Sequence, residues 1–419
     1  MFLLTIASKY PGYLSQFYAR HRGLSRRSYQ EQYRFLMADS FGSSEIWSVG
    51  MAAKGYRTER IYANARPLQQ QWARENGLEI GGRDWKLKIL AAQVNKLRPD
   101  MLFLNNHTLL PAAELRRWRR DIPSVRLVIC WCGTPFQSYD IFREFDIVLS
   151  NIPELVVRFR DQGLPAYHIN HAFDPRILDR IDVDRRPNIA FSFIGSVIME
   201  REFHYAREQL LSELIRKTDL RIWGNIASVT LKDRMKNLAQ ALGFENVRRG
   251  IREGIPSEIL QRIPGLQRMV RQSYRLGGPA RHVRPQLARR VRAPVYGPDM
   301  FQRLHDSKIT LNTHGDISSE SASNMRLFEA TGVGSCLLTD WKKNIQDLFT
   351  PDLEVVTYRD AGECAEKVRY LLARETERRR IAEAGQKRTL RDHTIHRRAE
   401  QVDEIIRSHL QKALPRRLG

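Results

Sequence analysis

The stretch SNMRLFEATGVGSCLLTD, residues 323–340, combines residue types that can bind an anion with the spacing of a helix start. Arg326 and Glu329 stand three positions apart, and Ser323 and Asn324 precede them. The first backbone N–H groups of a helix have no intrahelical partner, and the helix dipole favours negative charge there. We therefore predict that a diphosphate binds at this helix start. Arg326 would add a bidentate contact, and Glu329 would accept hydrogen bonds from a ribose diol.

Each of these residues also has an ordinary structural interpretation. Glu329 could stabilise the helix dipole from the first turn, and Asn324 could cap the helix. Arg326 could be a solvated surface arginine. Gly332 and Gly334 predict an abrupt end of the helix before the apolar run CLLT under either interpretation.

Two predicted strands bring further polar residues to the same place. KITLNTH (308–314) precedes the stretch and ends at His314, and NIAFSFIGS (188–196) enters a turn at Gly195 and Ser196. Ligands of open α/β sheets bind at the carboxyl ends of the strands, where the strand order reverses. We therefore add His314, Gly195 and Ser196 to the predicted site. The Gly-Ser pair could also serve the turn alone.

Short apolar runs alternate with amphipathic stretches along most of the chain. FLLTIA (2–7) and MLFLNN (101–106) are predicted strands, and 43–56 and 84–100 are predicted helices. This alternation is typical of a parallel sheet covered on both faces, and it restarts after residue 187. The sequence therefore predicts an α/β fold of two tandem doubly wound (Rossmann-like) domains that face each other across a cleft.

The charge of the chain indicates the class of its partners. Hydrophobic residues make up 42% and charged residues 28%, as in an ordinary globular protein, but the formal net charge of +22 favours anionic partners. Residues 262–293 contain nine arginines and no Asp or Glu, which indicates a solvated face, a membrane-surface contact or nucleic-acid binding. No apolar run approaches the ~18 residues of a membrane span, and the four cysteines lack zinc spacing, so we expect no metal.

The motifs in the second half resemble those of a known family. The stretch 323–340, followed by VVTYRDAGECAEKVRYLL and by HTIHRR (393–398), resembles the C-terminal domain of the GT-B glycosyltransferases. It looks most like the family-1/4-like group, and within it the branch related to spore-maturation proteins of the CgeB type. The resemblance covers about 300–405, and FSFIGS fits the first strand and turn of the same domain.

The resemblance implies a GT-B architecture and a transferase that moves a sugar from a nucleotide-sugar donor to a hydroxyl of a glycan, lipid-linked glycan or protein. It assigns the donor ribose to Glu329. Many relatives carry another glutamate eight positions earlier, against the donor sugar. This sequence has Ser321 there, with Glu320 beside it. Metal-independent transfer is implied, with the nucleotide-sugar as co-substrate and no cofactor.

Two catalytic candidates lie in the first half. Some retaining relatives place a histidine near the donor sugar after the fourth strand, and His107, after MLFLNN, is the candidate here. Asp39, in ADSFGSSE, could deprotonate the acceptor hydroxyl if the enzyme inverts. The alternatives are a loop histidine with satisfied hydrogen bonds and an N-cap of the next helix.

The predicted domain boundaries follow from the alternation and the resemblance together. They are an N-terminal acceptor-side domain at 1–170, a linker at 171–187, a C-terminal nucleotide-sugar-binding domain at 188–392 with an Arg-rich insert at about 228–293, and a C-terminal helix and basic tail at 393–419 that pack back toward the N-terminal domain. The expected location is cytoplasmic, with a peripheral contact to the anionic inner face of the membrane through the Arg-rich insert as an extension.

Two further hypotheses stay open from the sequence. One is a basic nucleic-acid-binding protein. Arginines without a recognisable binding module make this the weaker interpretation, so no specific nucleic acid is expected as a partner. The other is a catalytically degenerate glycosyltransferase-like protein, which Ser321 makes plausible.

Overall fold

The chain forms two parallel six-stranded sheets, each flanked by helices, in a computed structural model that describes residues 1–39, 46–82, 84–136, 138–197, 204–226 and 283–413. The predicted fold class is confirmed. The Arg-rich insert lies outside the described residues except for 283–293, and so do residues 414–419 of the predicted basic tail.

The first sheet has the strand order β2-β1-β3-β4-β5-β6. Its strands are β1 (Phe2–Ala7), β2 (Arg57–Tyr62), β3 (Met101–Leu104), β4 (Leu127–Trp131), β5 (Ile147–Ser150) and β6 (Ala166–His168). Its helices are α1 (Pro11–Arg20), α2 (Tyr29–Ala38), α3 (Val49–Ala52), α4 (Arg66–Glu75), α5 (Trp85–Leu97), α6 (Ala112–Asp121) and α7 (Pro153–Asp161). Strands β1, β3 and β5 are buried along their whole length, because helices cover both faces of the sheet.

The second sheet has the strand order β12-β11-β10-β7-β8-β9. Its strands are β7 (Ile189–Ile194), β8 (Leu220–Trp223), β9 (Val291–Arg292), β10 (Ser307–Asn312), β11 (Cys336–Asp340) and β12 (Val356–Tyr358). Its helices are α8 (Tyr205–Lys217), α9 (Pro285–Ala288), α10 (Gly297–His305), α11 (Arg326–Gly332), α12 (Ile345–Leu348), α13 (Ala361–Ala373) and α14 (Glu375–Asp392).

The strand order of each sheet reverses at one point. In the first sheet β1 lies between β2 and β3, and in the second sheet β7 lies between β8 and β10. The connections on the two sides of these points leave in opposite directions, which opens a crevice at the carboxyl ends of the strands. Hydrogen bonds between Ser8 and Asn105 bridge the first of these points, at distances of 3.2 and 3.4 Å.

The last helix, α15 (Ile395–Ala413), returns to the first half of the chain. It begins where Phe173 and Thr394 form a parallel β-bridge. The Tyr56 hydroxyl donates a 2.6 Å hydrogen bond to Asp403, and Ala399 contacts Gly50 so closely that a side chain at Gly50 would overlap it. The second half is therefore fastened to the first by this helix as well as by the connection before β7.

The structure differs from the sequence predictions in several helices. The described part of the predicted helix 43–56 contains only the four-residue helix α3, preceded by a 3₁₀ turn. Helices α1, α2 and α4 were not predicted. Each is ten residues long with only two or three buried side chains, which makes its apolar periodicity weak.

We expect Gly224→Ala to destabilise the protein. Gly224 follows β8, and a Cβ atom there would overlap the carbonyl oxygen of Gly195, which is backbone and cannot rotate away. Overpacking of this kind costs about 3 kcal/mol, which lowers the melting temperature by about 6–12 °C in a domain of this size. Calorimetry measures the difference. Gly81→Ala is the matched control, because its Cβ would meet open space, and equal melting temperatures would contradict the packing argument.

Candidate functional site

A buried arginine lies where the strand order of the second sheet reverses. Arg207, in the first turn of α8, is 9% exposed. Its guanidinium donates to the backbone oxygen of Ser196 after β7 (3.0 Å) and to that of Thr313 after β10 (2.9 Å). These two bonds join the ends of the strands on either side of the reversal. Arg207 is absent from the predicted site residues, although it continues the buried stripe of Leu211 and Leu214 at helical spacing.

The charge of Arg207 has no salt-bridge partner among the described residues. Burial lowers the pKa of Arg207 to about 10. The nearby charges of Asp340 and Asp316 oppose this shift, and the charge of Arg326 adds to it. Burial and the charge of Arg207 also lower the pKa of His204 to about 3, so that its ring is neutral and can accept from the guanidinium at 3.3 Å. The reversal point therefore has a buried positive charge with a second arginine close by.

His314 and Asp340 form a coupled pair at the ends of β10 and β11. Asp340 accepts from the backbone N–H of His314 and lies 2.7 Å from its Nδ1. Burial alone would raise the pKa of Asp340, but the contacts with His314 and Lys342 outweigh it, and the pKa lies below its usual value. The ionised carboxylate only accepts, so Nδ1 carries the proton. The other ring nitrogen, Nε2, is buried without a partner in the described part of the chain.

Arg326 and Glu329 lie together on α11. Their side chains form a 2.8 Å salt bridge, and Glu329 is 6% exposed. Burial raises the pKa of Glu329 and the charge of Arg326 opposes this shift. The guanidinium also contacts the sulfur of Met300, while its Nε is buried without a partner among the described residues. The two predicted residues thus contact each other at the edge of the site.

Helix α11 begins one residue later than it would with Asn324 as its N-cap. The N-cap position is Met325, and no side chain caps the helix. Asn324 instead donates to Asn312 (2.8 Å) and to the backbone oxygen of Thr313, which ties the loop to the end of β10. The Ser323 hydroxyl bonds to Ser318 (2.8 Å). The alternative that Asn324 caps the helix is therefore wrong.

The other predicted residues of the second half have different surroundings. Gly195 lies where a side chain would contact Phe193, and the backbone oxygen of Ser196 accepts from Arg207. Ser321 is buried, and its hydroxyl donates to Glu154 of the first half at 2.7 Å. Glu320 is exposed and pairs with Lys343 at 2.7 Å, which lowers the pKa of Glu320. Glu320 therefore points away from the buried residues of this loop.

The two candidates in the first half are both buried. His107 follows β3, its ring centroid lies 4.9 Å from that of Phe142, and burial lowers its pKa. Its Nδ1 has no partner among the described residues. Asp39 follows α2 as its C-cap residue, and the next described α-helix, α3, has Ser48 rather than Asp39 at its N-cap position. The carboxylate of Asp39 accepts from Arg20 at 3.3 Å. Burial and the nearby charge of Asp39 raise the pKa of Tyr13.

Contacts between the two halves surround these residues. Asn151, just after β5, donates a 2.7 Å hydrogen bond to the backbone oxygen of Ser323. Tyr13 of α1 packs edge to face against Tyr296, with ring centroids 5.7 Å apart. Arg20 reaches Asp299 of α10 at 3.4 Å. The carboxyl edges of both sheets therefore meet, and the candidate site lies along their junction, named here the seam.

Within the described ranges, no three or more His, Cys, Asp or Glu side chains are grouped as ligands of a metal ion would be. None of the helices in the same ranges combines the length and apolar composition needed to cross a bilayer.

We expect Arg207→Lys to destabilise the protein, because one ammonium group cannot span the backbone oxygens of Ser196 and Thr313. A buried carbonyl left without a donor costs about 2 kcal/mol, which lowers the melting temperature by about 4–8 °C. Arg216→Lys is the matched control, since Arg216 is exposed on the same helix. Equal melting temperatures of the two variants in a calorimeter would refute the bridging role.

Comparisons with known proteins agree with this arrangement. Residues 201–404 match the model of a family described as glycosyl transferase-like. HepE of Anabaena in complex with UDP-glucose is similar in fold, with 11% identity, 97% of this chain and 100% of that chain covered, and a TM-score of 0.53. A glycosyltransferase from Rickettsia africae has 10% identity, 98% coverage of both chains and a TM-score of 0.52.

Sucrose-phosphate synthase from Thermosynechococcus elongatus has 11% identity and a TM-score of 0.51, with 98% of this chain and 100% of that chain covered. No curated protein matches the sequence. At identities this low, the solved structures show similarity of fold alone. The family match rests on the sequence of residues 201–404. The chain therefore has the GT-B fold seen in these glycosyltransferase structures, and its residues 201–404 match the glycosyl transferase-like family model.

Proposed function

We propose that the protein is a glycosyltransferase that moves a sugar from a nucleotide-sugar donor to a hydroxyl of a glycan, lipid-linked glycan or protein. The observation that carries this proposal is the buried charge of Arg207 at the reversal point of the second sheet. It has no salt bridge within the described ranges, and Arg326 is close enough to lower its pKa. A buried positive charge without a salt bridge is costly, and a bound anion offsets that cost. A diphosphate supplies that anion.

The rest of the donor site is assigned by chemistry. Glu329 would accept from the ribose diol, since a buried carboxylate with a raised pKa gains most from charged hydrogen bonds. Arg326 would turn from Glu329 to the diphosphate or bridge both. His314 and Asn324 carry buried polar atoms that could accept from the donor, and Gly195 and Ser196 would line the phosphate side. UDP-sugars are the first donors to test, because HepE binds UDP-glucose.

Asp39 and His107 remain the catalytic candidates. For Asp39 to act as the base of an inverting reaction, its carboxylate must be shared between Arg20 and the acceptor. A neutral, buried His107 suits a hydrogen bond to the donor sugar in a retaining reaction. We also propose that the transfer needs no bound metal and that the protein belongs to the CgeB-type branch. Its location would be cytoplasmic, with the Arg-rich insert in contact with the membrane surface.

Nucleotide binding tests the proposal directly. We expect one of UDP, GDP, ADP and CMP to raise the melting temperature of the wild-type protein, by an amount equivalent to about 2.7 kcal/mol at 100 times its dissociation constant. Glu329→Gln keeps a hydrogen bond to Arg326 but loses the charge. Its affinity should fall about tenfold, because charged hydrogen bonds exceed neutral ones by ~1 kcal/mol each.

Glu366→Gln, on the exposed side of α13, is the matched control and should bind as the wild type does. If no nucleotide acts and short DNA stabilises the protein only at low salt, the nucleic-acid hypothesis replaces the enzyme. If a nucleotide binds but no acceptor is ever glycosylated, the degenerate alternative is favoured.

Steady-state kinetics separate the two catalytic candidates. A variant of the true base or sugar-contacting residue should lose 10²–10⁴-fold in kcat while its dissociation constant for the donor stays unchanged. The variants are Asp39→Asn and His107→Gln. Burial lowers the pKa of His107, so its ring stays neutral below the usual value of 6.5. If His107 acts, the rate should stay flat through pH 6.5 and fall only as the pH drops through the lowered pKa. Normal kcat in both variants would exclude both residues.

A further inference from the structure

Three hydrogen-bond acceptors along the seam are buried and have no donor in the part of the chain that the structure describes. They are Oδ1 of Asn151, Oε2 of Glu154 and Oδ1 of Asn324. The other polar atom of each side chain is engaged: Asn151 with the Ser323 backbone at 2.7 Å, Glu154 with the Ser321 hydroxyl at 2.7 Å, and Asn324 with Asn312 at 2.8 Å. The side chains are therefore held in place while one oxygen of each stays unused.

These oxygens select for a particular kind of ligand. A carboxylate and an amide oxygen only accept, and a buried acceptor without a donor is destabilising. A diphosphate has no donors at neutral pH, and Glu154 would repel it. A nucleobase offers few donors. A sugar presents several hydroxyl groups on neighbouring carbons, and these can donate to several acceptors at once. Of the three side chains, Asn324 lies in the loop 321–324, and Asn151 and Glu154 bond to it.

The acceptors come from both halves of the chain. Glu154 lies in the first turn of α7 and Asn151 just before that helix, whereas Asn324 precedes α11. The loop that joins them, 321–324, contacts the first half through Ser321 and Ser323. A ligand that needs all three acceptors therefore requires the two halves to be together.

We propose that Glu154 determines donor-sugar specificity by accepting hydroxyl groups of the transferred sugar, with Asn324 and Asn151 as its neighbours. The inference rests on the proposed function. Ser321, at the position that the resemblance connects with the donor sugar, orients this carboxylate from across the seam. The nucleotide part of the donor binds the second half alone, and the sugar adds contacts to the first.

Calorimetric titration with paired ligands tests the assignment. UDP is compared with the nucleotide-sugars UDP-glucose, UDP-galactose and UDP-N-acetylglucosamine. GDP is compared with GDP-mannose. For the preferred sugar, Glu154→Gln should weaken binding at least tenfold, because it removes the negative charge and replaces one of the two carboxylate oxygens by a donor. Binding of the nucleoside diphosphate alone should stay within twofold of the wild type.

Ser321→Ala separates sugar binding from a purely structural link between the halves. It removes the 2.7 Å bond that orients Glu154 but keeps the carboxylate, so we expect a smaller loss of sugar affinity than in Glu154→Gln and no loss of diphosphate affinity. Asp161→Asn, exposed on the same helix as Glu154, is the matched control and should bind both ligands as the wild type does. An equal loss in both variants, or a loss of diphosphate affinity, would make the pair an interdomain link and overturn the inference. So would wild-type sugar affinity in Glu154→Gln. If the wild-type protein binds no nucleotide at all, the proposed function itself fails.

Discussion

The site depends on one constraint, the common direction of all strands in the second sheet. Because β7 and β10 are parallel neighbours whose following segments leave on opposite sides, their carboxyl ends cannot cover each other and a crevice remains. Arg207 fills the floor of this crevice and donates to the backbone on both sides. The guanidinium is long enough to reach both oxygens. It also leaves a positive charge in a place that water barely enters.

The seam adds a second constraint, because the site is divided between two halves that must meet accurately. The meeting surface combines apolar contacts, such as Tyr13 against Tyr296, with polar ones, such as Asn151 against the Ser323 backbone. The return of α15 to the first half adds a further connection, through the Phe173–Thr394 bridge and the bond from Tyr56 to Asp403. The chain therefore joins the halves at two places, through the connection before β7 and through α15. Closure can then be a small adjustment rather than the docking of free domains.

The sequence predicted the fold better than the site, for a physical reason. Buried parallel strands are continuous apolar runs, and FLLTIA and MLFLNN are visible as such without any partner. Helices α1, α2 and α4 bury few residues each, so their periodicity is weak. Within the candidate site, Glu329 and Arg326 belong to one local motif, so the sequence alone could propose both. Arg207 looks like an ordinary helical arginine, since its importance comes from two backbone oxygens in distant segments.

The replacement at Ser321 illustrates the limit of position-by-position reasoning. A motif compares one residue with one residue, so a serine in place of a glutamate counts as a lost carboxylate. In three dimensions the Ser321 hydroxyl donates to a carboxylate that arrives from α7, 167 positions away in the chain. The departure from the family pattern is therefore also consistent with a carboxylate that has moved to the other half of the fold, where its use is tied to the contact between the halves.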